Sequence, residues 1–246
     1  MSTDTAMVPV NFDHIPSTQI GTDDQFAELA KGGDYLARMQ LYTKSKANLK
    51  GLIPTGHYGI PESDEEIIDL GDSVDLLPLA RRPKAIDMSD MEALVISYDM
   101  ESEEFKRIQE KSKESDSHCQ WGVSFLVYER STRRFLEFFC GNKSSRIESK
   151  KLFPFLPLRQ EAIDALEAAG NDVSDLEPHG PVPVTLKVSV AENNKGVWHV
   201  PLVSKCSTPF MRLPSGDVLC REIAKFLAVK DNGVEKVQES KPARAR

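Results

Sequence analysis

A chain of 246 residues with 40% hydrophobic and 28% charged residues has a globular composition and length enough for a buried core, which excludes wholesale disorder and fibrous repeats. Its formal net charge of −7 excludes a uniformly basic nucleic-acid binder, but the charge is uneven. Residues 1–80 carry thirteen acids against five Lys and Arg, whereas residues 129–159 carry eight Lys and Arg against three acids.

Residues 1–33 are acidic and polar and end in Gly32-Gly33, which predicts a flexible arm. Residues 34–230 read as a single β-rich domain. Residues 35–43 alternate imperfectly and suggest its first strand. Residues 54–61 (PTGHYGIP), followed by Ser63-Asp64-Glu65-Glu66, crowd turn formers and acids together and predict an exposed loop. Residues 67–70 lead into a strand. Residues 74–86 (VDLLPLARRPKAI) are strand-like, but Pro78 and Pro83 have no N–H to give to a ladder, so this strand is expected to be bent, bulged or at an edge.

Residues 93–98 (ALVISY) predict a buried strand, and residues 101–114 a largely solvated helix with Phe105 and Ile108 on one face. A hairpin follows with arms 121–128 and 135–140 and a turn holding Arg130, Arg133 and Arg134. Residues 143–151 predict a helix with Lys143, Arg146 and Lys150 at i, i+3 and i+7, interrupted by Pro154 and Pro157. A further helix over 159–169 stops at Gly170-Asn171. Residues 181–190 and 197–204 read as an antiparallel pair about the turn 192–196. Ser215 is a candidate N-cap for a helix that presents Leu219, Ile223, Phe226 and Leu227 and ends at Asn232-Gly233. Residues 231–246 read as a flexible, polar tail.

The longest apolar runs are far below the about 20 residues that cross a bilayer, and Met1-Ser2-Thr3-Asp4 lacks the features of a signal peptide, so a cytoplasmic protein with no membrane association is expected. Cys119, Cys140, Cys206 and Cys220 lie far apart and predict reduced thiols. No close Cys or His pair marks a metal site, and no phosphate-cradling or nucleophile motif is present, so neither metal nor cofactor is expected. A thiol nucleophile would have to pair Cys119 or Cys140 with His118 or His57. A metal-dependent nuclease would have to gather Asp69, Asp72, Asp75 and Glu137, whose spacing is not diagnostic.

The basic residues interleave with aromatic ones. Arg81, Arg82 and Lys84, the turn arginines Arg130, Arg133 and Arg134, and Lys143, Arg146 and Lys150 would form a phosphate-attracting groove if the strands pair as neighbours. Trp121, Tyr128 and Phe138 on the hairpin would offer rings on which bases stack. Aromatics that alternate along a hairpin also line cores, and the two readings differ in which face is buried.

The element order resembles an elaborated OB-fold. Asp69-Leu70-Gly71-Asp72 through Lys84-Ala85-Ile86-Asp87, Trp121-Gly122 through Gly141-Asn142-Lys143-Ser144, and Cys206-Ser207-Thr208-Pro209-Phe210 resemble bacteriophage proteins that bind single-stranded DNA. The resemblance implies a mainly β with α (α+β) fold, an OB-like antiparallel β-barrel with peripheral helices and flexible termini. It implies a non-enzymatic single-stranded DNA-binding protein of DNA replication or recombination, working in the host cytoplasm with replication or recombination proteins as partners. Such proteins commonly end in an acidic tail; here the acidic portion is N-terminal and the chain ends Lys241-Pro242-Ala243-Arg244-Ala245-Arg246. The alternative is a structural or assembly protein acting through protein contacts.

Overall fold

The computed structural model describes residues 36–43, 45–63, 65–90, 93–114, 117–193, 196–208, 210, 213–229 and 235–236. The N-terminal arm expected over 1–33 and most of the expected tail lie outside them. The architecture is mixed α+β, a curled half-barrel sheet with a few helices on its faces.

The sheet is organised by β4 (Ser73–Asp87), whose run of apolar residues is long enough to serve several neighbours. Along one edge it pairs with β6 (Cys119–Glu129), from Leu76↔Glu129 to Asp87↔Cys119. On its opposite edge β8 (Val184–Asn193) pairs with residues 73–76 and β5 (Ala93–Ser97) with residues 85–87. The expected irregularity is present as a register shift between Pro78 and Ala80. The strand is not at an edge, because neighbours at both ends leave it central; Pro78 sits at the bulge, and Pro83 lies in the stretch 77–84 that pairs with neither β8 nor β5.

Beyond β6 the sheet continues through β7 (Phe135–Cys140), β1 (Arg38–Tyr42), β2 (His57–Pro61) and β3 (Ile67–Gly71), while β10 (Glu235–Lys236) pairs with β5 and β9 (Gly196–Lys205) with β8. Two of these pairings depart from the sequence reading. Strands β1 and β7 run parallel, so the sheet is not purely antiparallel. The strand β10 falls within the segment read as a tail.

Residues 57–61, expected in an exposed loop, form β2 with Tyr58 and Ile60 fully buried. The glycine that looked like a turn former is there for lack of space: a Cβ on Gly59 would lie 2.6 Å from Ile53, 2.8 Å from Ile67 and 3.0 Å from Tyr42.

Strand alternation then divides the molecule into two sides. The concave side buries Met39, Tyr58, Ile60, Phe125, Val127, Leu136 and Phe138. On the outer side Leu79, Leu126 and Tyr128 meet Leu219, Ile223 and Phe226 of the C-terminal helix (Gly216–Ala228). That helix sits where its apolar spacing predicted, although Leu227 remains exposed. The helix Glu103–Lys111 is capped by Ser102, whose hydroxyl accepts from the Phe105 amide, and buries Phe105 and Ile108 at the far end of β6. The helix Lys143–Ser149, capped by Asn142, runs into a 3-10 helix over Lys150–Phe155. The helix Gln160–Ala168 ends before Gly170, whose positive φ of 81° is the left-handed geometry that glycine permits.

Candidate nucleic-acid interface

The register of β4 on β6 decides which basic residues share a face. Arg81 stands opposite Phe125, Pro83 opposite Val123 and Ala85 opposite Trp121, and directly opposed residues of antiparallel strands project to the same side. Arg82 and Lys84 alternate to the other side, opposite Ser124 and Gly122. The basic run at 81–84 is therefore split across the sheet rather than gathered into one groove.

On the outer side Arg82 and Lys84 converge on Glu137 of β7. The Lys84 ammonium donates to Glu137 Oε2 at 2.6 Å and the Ser124 hydroxyl to Oε1 at 2.6 Å, with Arg82 at 3.4 Å and Arg38 at 3.5 Å. Lys84 is 1% exposed. Burial would raise the pKa of Glu137, but the charge and hydrogen bond of Lys84, with Ser124 and Arg82, overcome it and hold the carboxyl at about 2. Burial lowers Lys84 to about 8 against the pull of Glu137. The Arg82 guanidinium lies over the rings of Tyr98 and Phe226, 3.8 and 4.1 Å from their centroids, and donates to the Phe226 carbonyl. These two cations tie the C-terminal helix and β7 to the sheet, and Lys84 does not reach solvent to meet a phosphate.

The hairpin turn is also more neutral than its sequence. Arg130 pairs with Asp75 at 3.0 Å, and Asp75 also accepts from the Thr185 hydroxyl at 2.6 Å. Arg134 pairs with Glu62. Buried Glu129 fastens the turn by accepting from the backbone amides and hydroxyls of Ser131 and Thr132, at 2.6–3.0 Å. Arg133, with φ of 57°, stands exposed in the turn. Among the rings expected to stack bases, Phe138 lies in the concave core, edge-on to Tyr58, and Tyr128 packs in the outer core against Phe135. Both are under 6% exposed and present no face to a ligand.

What the fold does assemble is a strip on the concave-side face of β4 and β6, toward the end where the barrel core gives out. At one end the 3-10 helix sets Phe153 against Phe125, and the exposed Arg81 guanidinium lies 3.7 Å from the Phe153 centroid. At the other end Arg146 lies 4.1 Å from the centroid of Trp121, and its Nη1 donates to the Trp121 carbonyl at 2.6 Å and the Gly141 carbonyl at 3.1 Å. Trp121 is braced edge-on by Phe105. Between the two stacks lie Pro83 and Val123, both half-buried and apolar. Partial burial lowers the pKa of both arginines, and a guanidinium keeps its charge in a protein. Lys143 and Lys150 are exposed on the segment that supplies Arg146 and Phe153.

Sequence reasoning found Arg81, Trp121, Arg146 and Lys150 but missed Phe153, Pro83 and Val123. Phe153 sits in Leu152-Phe153-Pro154-Phe155, and an aromatic so close to a proline following a basic helix was the available signal.

The other chemistries are not brought together. Asp69 is held by His57 at 2.9 Å, Asp75 by Arg130 and Glu137 by Lys84, so three of the four carboxylates considered for a nuclease have separate partners. Among the described residues no group of three or more His, Cys, Asp or Glu is placed to hold a metal ion. Burial raises the thiol of Cys119 and pushes that of Cys140 up to about 12, the opposite of the shift an activated nucleophile needs. Among the described residues no helix is long and apolar enough to cross a membrane. Comparison with family models, with curated proteins and with solved structures finds no match to this chain.

Proposed function

We propose that this chain is a non-enzymatic binder of single-stranded DNA, using an OB-like half-barrel as a platform and serving a replication or recombination process together with other proteins of that process. The observation that carries the reading is the pair of cation–aromatic stacks, Arg81 on Phe153 and Arg146 on Trp121, on one side of the same two strands. Alternating cations and rings suit a strand that offers a phosphate and a π face at every nucleotide, and stacking contributes about 1–3 kcal/mol per base. An overall acidic chain can bind this way because local potential, not net charge, governs the encounter.

The test is a titration of a fluorescein-labelled oligo-dT of about 30 nucleotides, several footprints long, at low and high salt, beside the RNA equivalent and the same-length duplex. Salt-sensitive binding selective for the single DNA strand, weakened by about tenfold or more in Arg81→Ala/Arg146→Ala, is the expected result. Absence of binding at micromolar protein and low salt would overturn the reading in favour of a structural or assembly role.

A further inference from the structure

The three opposed pairs of the strip are regularly spaced, and that spacing selects the form of the ligand. Successive same-side positions on a strand are two residues apart, about 6.6 Å at the usual rise of a β-strand. Arg81 opposite Phe125, Pro83 opposite Val123 and Ala85 opposite Trp121 are three such positions in a row, separated by two steps. The first carries the Arg81–Phe153 stack and the third the Arg146–Trp121 stack. The middle one is an apolar floor of Pro83 and Val123.

Stacked nucleotides repeat every 3.4 Å along one strand of a duplex, about half this step. An extended strand with its bases unstacked roughly doubles that repeat and comes into register. Resting on the single-strand reading above, we infer that the strip holds three consecutive nucleotides with their bases splayed apart. The outer two stack on the guanidinium–aromatic pairs and the middle one lies on Pro83 and Val123.

The two end stations are unequal. Arg146 is fixed by two carbonyls, so its half-buried guanidinium is a rigid platform. Arg81 is exposed and holds its guanidinium over Phe153, so the base at this end stacks on the pair from the solvent side. A ring face accepts any base, so the strip discriminates strand form rather than sequence.

The experiment compares the full chain binding to a dT 12-mer and to a 12-mer of the same charge in which every nucleotide is abasic, with tryptophan emission and fluorescence anisotropy as readouts. The expected result is abasic binding at least about tenfold weaker, without the emission change that dT produces, in keeping with the contribution of base stacking. The difference should shrink in Trp121→Leu and in Arg81→Gln; the latter, at an exposed position, keeps the test decisive should Trp121→Leu fail to fold. Equal affinity for the two 12-mers would overturn the inference while leaving single-strand binding through phosphates intact. Failure of both to bind would overturn the inference together with the function on which it rests.

Discussion

Glu137 is the residue on which four strands converge, with Arg38 of β1, Arg82 and Lys84 of β4 and Ser124 of β6 around a carboxylate of β7. A buried ion pair is costly to break and much less costly to replace as a whole. Glu137→Leu alone should therefore destabilise the protein by about 3–5 kcal/mol. The double variant Lys84→Met/Glu137→Leu should lose less than the single one, as read from urea unfolding. The same carboxyl makes the fold acid-sensitive. Its folded pKa is lowered, so its contribution is complete above the ordinary glutamate value of about 4.3 and is lost as pH falls toward about 2. This network was half legible: the spacing of Arg82 and Lys84 puts both on one side of a strand, but nothing local marks Glu137, flanked by Leu136 and Phe138, as their partner. Sequence distance explains the failure, since the contact spans 53 residues. The stacks of Arg81 on Phe153 and Arg146 on Trp121 were hidden by the same kind of separation.

At the scale of elements, the apolar runs of β4 and the β6–β7 hairpin, buried on both sides, and the one-sided stripe of the C-terminal helix were readable. Residue type misled at β2, where Pro and Gly signal a turn in isolation but serve a crowded strand in context. The hairpin that carries Trp121 and Val123 depends on a comparable glycine. A Cβ on Gly122 would lie 1.9 Å from the Cys140 carbonyl oxygen, a backbone atom that cannot swing aside. Gly122→Ala should thus force β6 and β7 apart at the end nearest the strip, costing about 3 kcal/mol, the upper end for overpacking. The corresponding Gly59→Ala meets only side chains at 2.6–3.0 Å and should cost less. Thermal unfolding of the two variants side by side checks the order; equal losses would mean that the β6–β7 ladder yields as readily as side chains do.

For the whole molecule, the proposed function requires a chain of net charge −7 to attract a polyanion, and the place of contact depends on which cations are already neutralised. The basic segment 129–159 suggested the hairpin turn as the contact, but Arg130 and Arg134 are engaged by Asp75 and Glu62. Among the described residues, Arg81 stacks on a ring without a carboxylate partner, and Arg146 donates to carbonyl oxygens. Counterions are condensed on the nucleic acid, and each phosphate neutralised by a protein cation releases its share. The dependence of log K on log salt therefore counts the phosphates neutralised, at about 0.7 each for a single strand. A cation that must first leave a carboxylate adds little to that count, because an internal ion pair is broken for each phosphate it binds. Arg81→Ala and Arg146→Ala should each flatten the slope for oligo-dT by about 0.7, while Arg130→Ala and Arg134→Ala should leave it nearly unchanged. The reverse pattern, slope lost at the turn and kept at the strip, would move the interface to the hairpin tip, where Arg133 is already exposed. The contrast separates local potential from local composition, since all four arginines count alike in the sequence.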